Sequence, residues 1–133
     1  MFTLHPRLDA DTVPVTEWSL CRVLLMNDAN YPWLILVPEV PDAVDLHDLS
    51  VSQAEELMRE IHRASRILRE HTGADKINVA ALGNVVPQLH VHVIARYLDD
   101  PAWPRPVWGA VPLRAYGVSD LRARLSALRS MMV

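Results

Sequence analysis

The sequence predicts an α+β domain built on a largely antiparallel sheet. Three observations carry that expectation. Two short runs of strand formers flank a tight turn, one long segment has helical periodicity with recognisable caps at both ends, and a second pair of strand-like runs follows it. Consecutive strands joined by short connections pair antiparallel, and a helix between strand pairs covers one face of their sheet. At 133 residues the chain reads as a single domain spanning 1–133, long enough to bury a core. The core is expected over about 15–97, with a Pro/Trp-rich tail and a C-terminal helix over 98–133.

Residues 1–14 read as a short helical or irregular lead-in punctuated by Pro6 and Pro14. "EWSLCRVLLM" (17–26) is a strand, "NDANYP" a turn and "WLILVP" (33–38) a second strand stopped by Pro38 and Pro41, together a hairpin. The long helix starts at Ser50, which forms a capping-box pattern with Gln53, and ends before Gly73, a C-cap glycine. Between them Ala54, Leu57, Met58, Ile61, Ala64 and Leu68 recur at helical spacing and define its apolar face. "KINVAAL" (76–82) and "QLHVHVIARY" (88–97) are the third and fourth strands, separated by the turn "GNVVP". A last amphipathic helix begins near Ser119 with Leu121, Leu125, Leu128 and Met132 on one side.

Composition narrows the function classes. The chain is 50% hydrophobic and 22% charged, with a formal net charge of −3, so no basic field invites polymeric nucleic acid or anionic lipid. Of its 13 basic residues all but Lys76 are arginines, which leaves room for a local anion site. Cys21 is the only cysteine, which excludes an intrachain disulfide and a cysteine-based zinc site. No apolar run approaches a membrane span and the N-terminal residues lack a signal-peptide pattern, so a cytoplasmic protein without a membrane partner is expected.

The chemistry concentrates in "QLHVHVIAR" (88–96). On a strand, side chains alternate faces, so Gln88, His90 and His92 are expected in one polar row, with Leu89, Val91 and Val93 packed under the long helix. Three readings follow: a strand with one wet face, a metal site using the two imidazoles, or a histidine nucleophile that attacks phosphorus. The metal reading would need further ligands from His5, His47, His62, His71, Asp99 or Asp100, and none has a ligand-like spacing to the pair. No metal and no cofactor are therefore expected. Arg96 at the strand end is either a phosphate clamp or the partner of Asp99 or Asp100. Trp103 and Trp108 would cover a ligand, anchor the tail or meet a second subunit.

"LGNVVPQLHVHVIARY" resembles the signature of the histidine triad (HIT) family, His-φ-His-φ-His-φ-φ with φ apolar. His90 falls on the middle histidine, His92 on the last and Gln88 on the first. The preceding "LVP" strand end, long helix and "IN" strand match the family's order, and "AWPRPVWG" resembles a bacterial HIT-like branch. The resemblance implies a five-stranded antiparallel sheet, a homodimer, and hydrolysis or transfer at the α-phosphate of a nucleotide, with dinucleoside polyphosphates or nucleoside phosphoramidates as substrates. It makes His90 the nucleophile of a covalent nucleotidyl-histidine, His92 its orienting neighbour on the phosphate, and Gln88 a contact to phosphoryl oxygens or leaving group. Asn78 and Asn84 take positions near phosphate and ribose, and Asn27 or Asp28 the position that holds ribose hydroxyls. For these four the alternatives are turn and strand-end hydrogen bonding. Three departures stand out: Gln88, which hydrogen-bonds but transfers no proton; Val85, where many relatives carry a hydroxyl residue; and Trp33, where another branch has a histidine. These departures keep a second function class open, a nucleotide-binding or sensing protein with little turnover.

Overall fold

Alternating side chains give the central strands two apolar faces, and the fold is arranged around both. The computed structural model describes residues 1–133. Its elements in chain order are α1 (Pro6–Asp11), β1 (Thr12–Glu17), β2 (Cys21–Met26), β3 (Trp33–Pro38), α2 (Val51–Thr72), β4 (Lys76–Ala80), β5 (Val91–Arg96) and α3 (Val118–Met131), with a short 3-10 turn at Leu46–Asp48. The strands form one five-stranded sheet in the order β1-β2-β3-β5-β4, and every neighbouring pair is antiparallel. The α+β class, the hairpin of β2 with β3, the long helix and the C-terminal helix stand as expected.

One face carries Cys21, Val23, Leu25, Leu34, Leu36, Val91, Val93 and Ala95, and packs against Leu57, Ile61, Ala64 and Leu68 of α2 and Leu125 and Leu128 of α3. The other face carries Leu24, Trp33, Ile35, Val37 and Ile94, covered by Leu8 of α1, Val86, and Ala102 and Val107 of the tail. Ser50 caps α2 by accepting from Gln53 N–H, Gln53 answers on the Ser50 amide, and Gly73 closes the helix at φ 67, a left-handed conformation that favours glycine. Glu60 is buried on α2, yet both its carboxylate oxygens are satisfied by the backbone amides of Leu20 and Cys21 at 3.0 and 2.9 Å. Burial, and then that carboxylate, push the Cys21 thiol far above its ordinary pKa and keep it unreactive.

Four local expectations need correction. The run 17–26 is not one strand: Glu17 ends β1, the chain turns at 18–20, and β2 begins at Cys21. The N-terminal lead-in is helical as expected over Pro6–Asp11 but runs into β1, whose Pro14 is tolerated because this is an edge strand with a register shift between Pro14 and Thr16. Met58 is 54% exposed and lies off the apolar face of α2, where Ile67 is buried instead. Most consequentially, β5 starts at Val91 rather than at Gln88.

Candidate active site

On the second face of the sheet, α1, the 82–86 loop and the tail leave a cleft of about 330 Å³. His90 and His92 line it together with Asn84, Arg7, Asp11, Trp33 and Trp108. Their positions follow from register. Ile35 of β3 lies opposite His92 of β5, so Trp33, two residues earlier on the same face, stands one diagonal step away. Its indole Nε1–H donates to His92 Nδ1 at 3.0 Å. His92 is enclosed edge-to-face by three rings, with centroid separations of 4.9 Å to His90, 5.0 Å to Trp108 and 5.6 Å to Trp33.

These contacts fix which ring nitrogen carries the proton. His90 Nδ1 lies 2.7 Å from the Gln88 carbonyl oxygen, which only accepts, so Nδ1 bears a hydrogen and the neutral ring has its lone pair on Nε2. His92 Nδ1 accepts from an indole, which only donates, so the neutral ring carries its hydrogen on Nε2. Burial, and then the neighbouring His90, push His92 down to about 4, so this neutral form persists across the physiological range. One ring thus offers a nucleophilic or basic nitrogen and its neighbour offers an N–H donor.

The remaining expected site residues divide sharply. Asn84 lies in the loop beside the histidines and lines the cleft. Gln88 is outside the polar row, because the chain at 88–90 has not yet entered β5. Its carboxamide oxygen accepts from His5 N–H at 2.8 Å and its amide donates to the Thr3 carbonyl at 2.8 Å, so it holds the N-terminal segment instead of the cleft. Arg96 is 1% exposed and spends its guanidinium inside the protein, on both carboxylate oxygens of Asp100, on Asn78 Oδ1 and on the Arg105 carbonyl. It is the Asp100 partner rather than a phosphate clamp. Asn78 is occupied by that same guanidinium and does not line the cleft. Burial opposes ionisation of Asp100, yet bonds from Arg96 and from the Tyr97, Trp103 and Ala102 amides hold its carboxyl below the usual range.

Asn27 and Asp28 also lie off the cleft. Asn27 accepts from Tyr116 N–H, and buried Asp28 accepts from the Asn30 backbone and side chain and from Arg114 N–H, so both pin the tail to the β2–β3 turn. Their local reading as turn residues is the one the geometry supports. Trp108 covers the cleft, whereas Trp103 lies against the Arg96 guanidinium, 5.5 Å from ring centroid to Cζ. Sequence reasoning missed Arg7 and Asp11, which reach the cleft only because α1 folds back across the sheet. No group of three or more His, Cys, Asp or Glu side chains is arranged to hold a metal ion. No helix is long and apolar enough to cross a membrane.

Comparison with known proteins places the fold. The HIT domain family model matches residues 7–99. No curated protein matches the sequence. Among solved structures, a histidine triad protein from Bradyrhizobium japonicum is 52% identical, with a TM-score of 0.97 over 99% of this chain and 98% of that one. One from Marinobacter aquaeolei VT8 is 47% identical, with a TM-score of 0.96 over 98% and 96%. A third, from Sinorhizobium meliloti 1021, is 42% identical, with a TM-score of 0.94 over 97% and 96%. With most of the domain matched by the family model and near-full-length relatives at this identity, the chain belongs to the histidine triad family.

Proposed function

We propose that the protein is a nucleotide hydrolase or nucleotidyl transferase working through a covalent nucleotidyl-histidine on His90. The observation that carries this reading is the pair of contacts that gives the two neutral cleft imidazoles opposite tautomers, the Gln88 carbonyl on His90 Nδ1 and the Trp33 indole on His92 Nδ1. His90 Nε2 attacks the α-phosphorus, a P–N bond forms, and the P–O bond to the leaving group breaks with its electron pair going to the departing oxygen. Water, or an acceptor hydroxyl in transfer, then attacks the same phosphorus, its proton passes to solvent, and the P–N electrons return to Nε2. His92 Nε2–H and the Asn84 amide donate to the nonbridging oxygens as charge builds on them. Trp33 and Trp108 exclude water from one side and hold His92 in place.

The leaving group follows from what the cleft lacks. Gln88 spends its carboxamide on the N-terminal segment and transfers no proton, and Val85 brings only methyl groups to the rim. An amine must be protonated to depart, whereas a phosphate chain leaves as a stable anion. Phosphoanhydrides such as dinucleoside polyphosphates are therefore preferred over nucleoside phosphoramidates. The reading is tested by assaying both substrate types with wild type and His90→Ala: the variant should lose at least about 10³-fold in kcat. Undiminished turnover in His90→Ala would end the mechanism, and tight nucleotide binding without turnover in the wild type would favour a sensing role.

A homodimer assembled at the β4 edge forms part of the same proposal. β4 ends the sheet with one side unpaired, and beside it Met58, Ile61 and His62 of α2 and Ile77 and Val79 of β4 line a groove of about 630 Å³. Val79 is 47% exposed on this open edge, the kind of surface that proteins cover by strand pairing.

A further inference from the structure

We propose that Gln88 and α1 form one device, in which Gln88 docks the N-terminal segment so that Arg7 meets the anionic leaving group of the substrate. The inference rests on the nucleotide reading above and deepens it. Three observations converge. The Gln88 side chain makes two 2.8 Å hydrogen bonds, both to backbone groups of the N-terminal segment, at His5 N–H and the Thr3 carbonyl. The backbone carbonyl of the same residue holds His90 Nδ1 at 2.7 Å. One residue thus ties the N-terminal segment to the ring that carries the nucleophilic nitrogen.

The helix that follows is built to stay in place. His5 accepts from Arg7 N–H at 3.1 Å as its N-cap, Pro6 fits the first helical position, and Leu8 is 5% exposed in the apolar cluster on that face. Arg7 and Asp11, one turn apart, then line the same cleft as His90, His92 and Asn84. Arg7 is the only lysine or arginine among the residues lining it.

Its single carboxylate partner is Asp11, 3.5 Å away, with side chains 63% and 41% exposed. A solvent-screened pair of this kind holds the guanidinium loosely and yields it to an anion of higher charge. A guanidinium matches phosphate oxygens two at a time. When the P–O bond breaks, Arg7 neutralises the charge arriving on the leaving phosphate, and no proton moves. The glutamine that cannot supply an acid thereby secures the cation that replaces one. The ligand class is a leaving group of one or more phosphates, not an amine.

The test compares kcat/KM for a dinucleoside polyphosphate and for a phosphoramidate of the same nucleoside. It uses full-length wild type, Arg7→Gln, Arg7→Lys, Gln88→Ala and the Arg7→Gln/Gln88→Ala double variant, with hydrogen exchange of residues 3–11 measured alongside. Arg7→Gln should lose about 10²-fold on the phosphoanhydride and far less on the phosphoramidate, with partial rescue by Arg7→Lys. Gln88→Ala should raise exchange across 3–11 by about tenfold or more and reproduce the Arg7→Gln selectivity. The double variant should be no worse than the single ones. An active wild type with Arg7→Gln equally impaired on both substrates, or not impaired, overturns the role of Arg7. Unchanged exchange in Gln88→Ala overturns the docking. A wild type inert towards both substrates removes the nucleotide reading, and this inference with it.

Discussion

His92 shows how a single contact assigns a chemical role. Its Nδ1 is fixed as an acceptor by the Trp33 indole, so the cleft receives an N–H rather than a second lone pair. Trp33→Phe keeps an aromatic ring beside His92 but deletes that donor, leaving His92 free to adopt either tautomer. The expected loss in kcat is roughly 10-fold to 100-fold, with KM nearly unchanged, because the N–H matters most as charge develops. Steady-state kinetics with both Trp33→Phe and His90→Ala read this directly, and a change confined to KM would contradict it. Burial, and then His90, lower His92 from 6.5 to about 4, which also has a consequence for stability. Below pH 6.5 the unfolded chain takes up a proton that the folded ring refuses until about pH 4. Stability present above pH 6.5 therefore declines as pH falls towards 4, by a total on the order of 3 kcal/mol. Urea midpoints of wild type and His92→Phe between these limits should show a steeper decline for the wild type, and parallel curves would contradict the assignment.

Among the elements, β5 and the tail that follows it depend on Arg96. The Arg96–Asp100 pair is 1% and 3% exposed, and the same guanidinium also holds Asn78 of β4 and the Arg105 carbonyl of the tail. Arg96→Ala would strand a buried carboxylate and release two elements at once, at an expected 3–5 kcal/mol of stability. Chemical denaturation measures this, and a loss below about 1 kcal/mol would point to a surface-like pair instead. Elements whose signals are local were legible in the sequence: the Ser50–Gln53 box, the Gly73 stop and the apolar runs of β3 and of Val91–Ala95 all lie within a few residues of what they determine. The start of β5 was not. Leu89 is buried in the core and bonds through its N–H to the Ala43 carbonyl, so the alternating pattern extends back to Gln88 although strand pairing does not. The partners of Gln88 lie at residues 3 and 5, and no local pattern marks a contact across that separation. β1 was hidden for the opposite reason, since Pro14 marks a break in most contexts and is compatible with a strand only at an edge.

At the scale of the whole molecule, the two faces of the sheet divide the labour. The α2–α3 face supplies most of the apolar burial, while the opposite face is left thin enough for α1, the 82–86 loop and the tail to frame a cleft. The histidines of that cleft were legible from spacing alone. Arg7 and Asp11 reach it from a chain segment far from the signature, and only the folded sheet brings them together. The open β4 edge yields a prediction for assembly: Val79→Lys should convert a dimer to a monomer in light scattering without unfolding it, because a charged side chain on an edge opposes strand pairing. A wild type that is monomeric at the same concentration would remove that interface.

The central claim is that His90 carries the nucleotide covalently between the two displacements. Rapid acid quench of the wild type mixed with a dinucleoside polyphosphate, followed by intact-protein mass spectrometry and peptide mapping, tests it most directly. The predicted result is a mass increase of one nucleotidyl group on the peptide containing His90, absent from His90→Ala. A wild type that turns over the substrate while showing no adduct, together with His90→Ala that turns it over equally fast, would contradict the account.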